Sequence, residues 1–501
     1  MFFWRSFVLG TLVSDISTGT HELVGQASPD VPLIVDMDGT LVRTDTLHEA
    51  VLNLIADRPL GLFEMVGWLR LGKAGFKAQI ADRIVTDANQ LPYREAVIEE
   101  IELARSQRRE VYLVSASNQS QVSAVAEHLG IFDEAIGSCD QRNLLGDAKA
   151  DYLVERFGVS GFDYIGDSNS DVSVWTNARR VITAGASDSV RQKAAAIPAD
   201  VQHLDPRPSF TQRLRHHIKA MRPHQWLKNG LVFLPALAAH DPSAFLASFI
   251  AFVAFSLTAS SIYIINDLLD LRADRAHPRK RNRPFAAGVI PVSHGLVQSA
   301  GLIAVALAVS LFLPPLFLAV LAGYVVLTFA YSLHLKRKLM IDIWTLGALY
   351  TVRMIAGAAA SGVPLSEWLM GFSMFLFLSL AAIKRQSELR DLIARGEDRT
   401  SGRAYTVKDM PVVLGVVLSA GYCSVLVLAL YVSNATASGL YSEPRLLWLV
   451  CPLLLYWISR ATIISFRGEM DDDPILFAVR DKISLGVFVT AAALIVLAAT
   501  L

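Results

Sequence analysis

Cysteine is scarce in this chain of 501 residues: there are three, Cys139, Cys423 and Cys451, far apart and odd in number. That excludes a disulfide framework and leaves no zinc-binding spacing. Net charge is lacking too. Lys+Arg and Asp+Glu both count 46, so no nucleic-acid partner is indicated. Charged residues make up 18%, against a globular norm of about 25%, while hydrophobic residues reach 53%. That much apolar surface excludes a disordered chain. The length allows about three domains at ~150 residues each. The first residues lack the basic start and small-residue cleavage site of a secretory leader. Their apolar run, Met1 to Val13, is interrupted by Arg5 and falls short of the ~20 residues that cross a bilayer. We expect residues 1–30 to form a mobile or surface-lying segment.

What is present falls into two halves. Over residues 31–200, short β-rich runs (PLIVDMD, EVYLVSAS, FDYIGDS, RRVITAG) alternate with segments of helical spacing such as QVSAVAEHLG and KADYLVERFG. The pattern predicts an α/β domain: a parallel sheet with helices on both faces and ligands at the carboxyl ends of its strands. Residues 201–221 read as a basic linker with Arg213, Arg215 and Lys219. Nine apolar stretches follow, at about 226–239, 243–265, 294–312, 315–333, 342–361, 366–383, 411–432, 446–464 and 483–501. They predict an all-α, polytopic membrane domain over 222–501, whose first stretch is short and carries Pro235. Basic residues gather in alternate loops: Arg272–Arg283, Lys336–Lys338, Lys384–Lys408 and Arg467–Lys482. The opposite loops hold only Arg445. By the positive-inside rule, those four loops and the N-terminal domain are expected on the cytoplasmic face, and the C-terminus on the other.

In the first half, Asp36-Met37-Asp38-Gly39-Thr40 closes the first strand. Two carboxylates two residues apart suit a nucleophile, Asp36, that attacks phosphorus, and a general acid/base, Asp38. Gly39 lets the chain turn away from the strand. Ser115 ends VYLVS and offers a hydroxyl to phosphoryl oxygens; nearby Ser117 is read as a loop hydroxyl. Lys149 in GDAK supplies a cation. Asp167 in Gly166-Asp167-Ser168, followed by Asp171, completes with Asp36 an oxygen-rich site suited to Mg²⁺. The set resembles the haloacid dehalogenase superfamily over residues 31–200. That resemblance implies a Rossmann-like phosphatase domain, with a Mg²⁺ site among Asp36, Asp38, Asp167 and Asp171. It also implies a helical cap at about 45–105 that selects substrate; Trp68, Phe76 and Lys77 there are expected to pack or lie on the surface.

In the second half, Asn266, Asp270 and Asp274 stand at i, i+4 and i+8 at the end of an apolar stretch, with Asp267 at the stripe's edge. Carboxylates at a membrane boundary are costly unless they bind something. Oxygens in such a row suit Mg²⁺ held through a diphosphate. The cation-rich HPRKRNRPFAAG follows at 277–288.

The nine stretches and NDxxDxxxD resemble the UbiA superfamily of intramembrane prenyltransferases. The superfamily's second DxxxD is not matched, because Asp342 is followed four residues on by Leu346. A narrower likeness lies in RPHQWLKN (222–229), RADRAHPRKRNRPFAAG (272–288), YSLHLKRKLMID (331–342), LYTVRMIAG (349–357), IKRQSEL (383–389) and RGEMDDDPILFAVRD (467–481). These segments resemble decaprenyl-phosphate phosphoribosyltransferases. The resemblance implies phosphoribosyl pyrophosphate and a polyprenyl phosphate as substrates, and Mg²⁺ at Asn266, Asp267, Asp270 and Asp274. It also implies a bacterial inner membrane and a trimer. Lys228, Arg275, Arg283, Tyr331, Lys336, Asp342, Arg353 and Lys384 are then the candidate substrate-binding residues. Asp472, Asp473 and Asp481 follow the family pattern without an assigned role. Together the halves suggest a bifunctional enzyme that makes a phosphoribosyl lipid and removes its 5-phosphate, yielding a precursor of an arabinofuranosyl donor. Two other readings are an aromatic prenyltransferase joined to an independent phosphatase, and a phosphatase that its spans merely anchor.

Overall fold

The structure is a computed structural model. It describes residues 31–501 except 59–60, 69, 71–74, 77–78, 81–82, 84–86, 140–141, 207–208, 400–402, 435–439 and 471–472. The expectations for residues 1–30, Lys77 and Asp472 lie outside the described residues.

The N-terminal half is a six-stranded parallel sheet in the order β3-β2-β1-β4-β5-β6. The strands are β1 (Leu33–Val35), β2 (Val111–Asn118), β3 (Glu134–Ser138), β4 (Asp163–Gly166), β5 (Arg180–Thr183) and β6 (Asp200–His203). Strand β1 is apolar and wholly buried, as a central strand covered on both faces must be. It pairs with β2 on one side and β4 on the other, Leu33 facing Val111 and Asp163. The chain's crossovers therefore diverge at the end of β1, where a doubly wound sheet opens a crevice for ligands.

Two boundaries differ from the sequence reading. The helix Glu95–Ser106 packs Val97, Ile101 and Ala104 into the core beneath β1 and β2, so it belongs to the sheet's own layer and not to the cap. The inserted segment begins with the helix Thr46–Asp57, which Asp45 caps through its carboxylate. Strand β6 carries the sheet to His203, and Asp205 still bonds Gly185 N at 2.7 Å and Arg94 at 2.8 Å. The linker is thus shorter than 201–221. Its main element is the helix Phe210–Met221, closed at its start by a Ser209–Gln212 capping box.

The C-terminal half is helical, and the chain is a multi-pass membrane protein. Among the described residues, eight helices are long and apolar enough to cross a membrane: Pro242–Leu269, Val292–Ser310, Pro315–Leu333, Ile341–Ser361, Glu367–Arg395, Val407–Val432, Pro444–Arg467 and Lys482–Thr500. The first of the nine expected stretches is not among them. It folds as a 3-10 run, Pro223–Phe233, and a short helix, Leu234–Ala238. Pro223 and Pro235 withhold backbone donors within it, which limits any regular helix there. It is held by Trp226 Nε1 donating to Ser260 Oγ (2.8 Å) and Asn229 Nδ2 to Ser256 Oγ (3.0 Å). Gly357 lets its backbone come close: a Cβ there would lie 2.0 Å from the Val232 carbonyl oxygen.

The two halves are in contact. Leu52, from the first inserted helix, is buried in one cluster with Ala220, Ile264, Leu268, Leu271 and Phe285. Gly288 adopts φ +66, and a Cβ there would stand 2.7 Å from Arg43 Cβ. No ordinary side chain fits between that loop and the phosphatase-like domain.

Candidate active sites

The first site forms where β1 ends. Asp36 follows the strand and is buried. Lys149, from the helix Asp147–Phe157, donates to Asp36 Oδ1 at 2.6 Å and to the Tyr164 hydroxyl at 2.9 Å. Tyr164 in turn donates to Asp171 Oδ1 at 2.8 Å. Burial pushes the Asp36 carboxyl up to about 7, although Lys149 pulls it down; Asp171 and Asp38 add to the rise. Burial works against the charge on Lys149, yet Asp36 and Asp171 leave its pKa raised. Asp167 is also driven well above the carboxylate range, first by burial and then by Asp36 and Asp171.

Oxygens of Asp36, Asp167 and Asp171 all lie within 4.8 Å of one another. A divalent cation fits this set, because three crowded carboxylates repel one another until a positive charge separates them. Asp171 is the most committed of the three. Its Oδ2 accepts from Asp167 N (3.1 Å), Ser168 N (2.9 Å) and Ser168 Oγ (2.8 Å), so it mainly shapes the loop that presents Asp167. Gly39 is required on the other side: at φ +78, a Cβ would fall 2.2 Å from Asp167 Oδ2.

Asp38 stands apart from this cluster, contrary to its expected place among the metal ligands. Its Oδ1 accepts from Thr46 N at 2.8 Å, and its Oδ2 accepts from the Ser117 hydroxyl. Burial raises its pKa. Ser117 is thus a buried partner of Asp38 and not a loop hydroxyl. Ser115 is buried one step deeper, where its Oγ accepts from Ser117 N at 3.1 Å; both serines line the same cavity as Asp36. Arg94, in no motif of the sequence, also serves this site. It donates to the carbonyls of Gly39 (2.9 Å) and Thr40 (3.0 Å), and so clamps the turn after Asp38.

The second site lies where the first long span ends. The expected single helical face over Asn266, Asp270 and Asp274 is interrupted. The helix Phe245–Leu269 stops at Asp270, and a short helix, Leu271–Ala276, restarts after it. Asp267 and Asp274 are buried, and Arg283 bridges them at 3.1 and 2.5 Å, with Arg222 also on Asp267. Asn266 and Asp270 remain less committed. Asn266 Oδ1 is buried without a hydrogen-bond partner among the described residues, and the Asp270 side chain is 44% exposed with Lys336 3.6 Å away. An orphaned carbonyl oxygen and an open carboxylate are the donor types a hard cation takes.

The remaining candidate residues divide. Arg283 and Lys336 face the acidic motif. Arg275 does not: it forks onto Glu49 of the phosphatase-like domain at 2.8 and 2.5 Å and donates to the Ala286 carbonyl at 2.9 Å. Lys228 pairs with Asp473. Arg353 is buried, donating to Asn229 Oδ1 (2.8 Å) and the Tyr324 hydroxyl (3.3 Å), so its donors are spent within the bundle. Asp342 is wholly buried beside Arg385 at 2.7 Å, with Arg403 at 3.3 Å and the Tyr331 hydroxyl donating at 2.9 Å. Asp342 is neutralised by arginines and not open to a substrate cation. Lys384 adjoins Arg385 on the helix Glu367–Arg395 and is half-buried. Asp481 caps the last helix through Ser484 N (2.7 Å) and pairs with Arg460 at 2.6 Å.

Comparison with known proteins bears on both halves. The model of the UbiA prenyltransferase family matches residues 230–499, and that of the haloacid dehalogenase-like hydrolases matches residues 33–175. The chain is 37% identical to the uncharacterized protein y4nM of Sinorhizobium fredii, over 91% of this chain and 88% of that one. It is 36% identical to the nodulation protein NoeC of Azorhizobium caulinodans, over 54% of this chain and 88% of that one. It is 44% identical to the decaprenyl-phosphate phosphoribosyltransferase of Mycolicibacterium smegmatis, over 34% of this chain and 57% of that enzyme.

Proposed function

Because this chain belongs to the UbiA prenyltransferase family and carries a haloacid dehalogenase-like hydrolase domain ahead of its membrane helices, we propose that it performs two consecutive reactions on one lipid. In the first, a phosphate oxygen of a polyprenyl phosphate attacks C1 of phosphoribosyl pyrophosphate. The C1–O bond to pyrophosphate breaks, pyrophosphate leaves, and a polyprenyl-phosphoryl-5-phosphoribose forms. Arg283 and Lys336 offer cations to the departing phosphates. The attacking oxygen already carries negative charge, so no strong general base is needed.

In the second, Asp36 attacks the phosphorus of the ribose 5-phosphate. Asp38, held by Thr46 N and Ser117, gives its proton to the departing ribose oxygen. The aspartyl phosphate on Asp36 is then hydrolysed by a water whose proton returns to Asp38, and inorganic phosphate leaves. Lys149 offsets the charge gathered on Asp36 and the phosphate. Mg²⁺, when held by Asn266 and Asp270 in one site or by Asp36 and Asp167 in the other, neutralises phosphate charge during transfer. The product, polyprenyl-phosphoryl-ribose, is a precursor of an arabinofuranosyl donor after epimerisation. We read both sites as cytoplasmic, from the basic loops.

One observation carries the pairing of the two reactions. Arg275 follows Asp274 directly in the chain, yet its guanidinium is locked on Glu49, in the helix whose first backbone N–H groups reach Asp38 and Asp45. A lipid released from one site therefore stays near the other, at an effective concentration of about mM scale for short tethers. The test is stoichiometry. Purified chain given Mg²⁺, phosphoribosyl pyrophosphate and polyprenyl phosphate should release pyrophosphate and inorganic phosphate in equal amounts, with ribosyl lipid accumulating. Uptake of a prenyl diphosphate onto an aromatic acceptor, with phosphoribosyl pyrophosphate left untouched, would contradict the reading.

A further inference from the structure

The cavity that holds Asp36 is not closed by the phosphatase-like domain alone. It measures about 1440 Å³, and its far walls come from elsewhere in the chain. One wall is the loop Gly288–Pro291 and the start of the helix Val292–Ser310 in the membrane half. Another is the linker helix Phe210–Met221, which lines it with Arg215, His216 and Lys219. The close approach of Gly288 to Arg43 and the buried Glu49–Arg275 pair fix these walls against the catalytic domain.

The linker helix has two faces. Phe210, Leu214 and Ile218, at i, i+4 and i+8, are 73%, 46% and 47% exposed, an apolar stripe left open among the described residues. An amphipathic helix of this kind, joined to the first span through the 3-10 run Pro223–Phe233 and the short helix Leu234–Ala238, suits the bilayer interface, with its apolar stripe toward the acyl chains. Its basic residues then stand at headgroup depth, on the rim of the phosphatase cavity.

That position answers a charge problem. Asp36, Asp38 and Asp167 make the catalytic end acidic, so an anion beyond the scissile phosphate needs cations of its own. A phosphoribosyl lipid carries such an anion, the phosphodiester between ribose and polyprenol. We propose that Arg215, His216 and Lys219 form an anion subsite that holds the phosphodiester of a membrane-anchored sugar phosphate while its terminal phosphate lies on Asp36. The phosphatase is thereby selective for lipid-linked substrates over soluble sugar phosphates. The proposal rests on the reading of this domain as acting on the transferase product.

The experiment uses full-length chain in detergent, with p-nitrophenyl phosphate as a small substrate and polyprenyl-phosphoryl-ribose, the product, as competitor. Phosphatidylglycerol serves as a generic anionic lipid. The ribosyl lipid should inhibit competitively and far more strongly than phosphatidylglycerol. Arg215→Glu with Lys219→Glu should raise its inhibition constant by roughly tenfold or more, as expected when a charge-assisted contact worth over ~1.4 kcal/mol becomes repulsive. Hydrolysis of p-nitrophenyl phosphate should stay unchanged. Arg215→Gln with Lys219→Gln, a milder pair for the case of misfolding, should give a smaller shift in the same direction. Equal inhibition by both lipids would assign these cations to ordinary headgroups and overturn the subsite. So would an unchanged inhibition constant, or a parallel loss of p-nitrophenyl phosphate hydrolysis in folded protein. Competition by the ribosyl lipid without any hydrolysis of the phosphoribosyl lipid would support the subsite and sink the functional reading instead.

Discussion

Asp36 is held between opposed influences: burial and neighbouring acids push its pKa from 3.8 to about 7, and Lys149 pulls it back. Its folded value lies above the unfolded one, so its contribution to stability is present below the unfolded pKa and is lost as pH rises through about 7. In a chelator, the unfolding midpoint of the catalytic domain should fall as pH is raised from about 5 to about 8, and Asp36→Asn should flatten that slope. Excess Mg²⁺ should stabilise the native chain most at the upper end, where the carboxylates are free to bind it, and should do little for Asp36→Asn. Thermal scans with and without Mg²⁺ check both. Asp38→Ala should lower phosphate release on the order of 10²- to 10⁴-fold, the usual worth of a positioned general acid/base, with transferase activity intact. The aspartates and Lys149 were legible because each sits at a strand end or a glycine-led helix start. The choice between Ser115 and Ser117 was not. Residues two apart on a strand share a face. β1 pairs Val35 with Leu113, while β2 runs on to Asn118, and this overhang brings Ser117 level with Asp38.

At the scale of elements, the helix Thr46–Asp57 joins the halves. Glu49 and Arg275 are each less than a tenth exposed, so removing one partner strands a buried charge. Glu49→Gln should cost about 3–5 kcal/mol of interface stability. It should appear as faster proteolysis between the halves and slower hydrolysis of the lipid substrate, with p-nitrophenyl phosphate still turned over. Adding Arg275→Gln should recover part of the loss, because both charges are then gone. No sequence pattern shows this contact: it spans 226 positions, and Arg275 reads equally well as a phosphate-binding cation. The NDxxDxxxD motif was legible as a cluster but not as a break. The helix stop at Asp270 leaves that side chain open while Asp267 and Asp274 are tied down by Arg283. Asp270→Ala should therefore abolish phosphoribosyl transfer without lowering the melting temperature, whereas Asp342→Ala, which leaves buried Arg385 with Glu388 as its remaining acidic partner, should destabilise the bundle.

Across the whole molecule, the order of parts was readable because solvent preference changes sharply near residue 222. The count of crossings was not. The stretch 226–239 is apolar enough to resemble a span, but Pro235, Pro223 just ahead of it and the close approach at Gly357 fold it against the bundle as a 3-10 run and a short helix. Least legible was the cavity, since its walls come from three separate regions that only the folded chain brings together. The account's central claim is that one chain builds a phosphoribosyl lipid and then strips its phosphate. The most direct measurement follows radiolabelled phosphoribosyl pyrophosphate into lipid products, resolved chromatographically, with native and Asp36→Asn protein side by side. The account predicts ribosyl lipid from the native chain and phosphoribosyl lipid from the variant. If both stop at phosphoribosyl lipid, or if neither labels a lipid, the claim is contradicted.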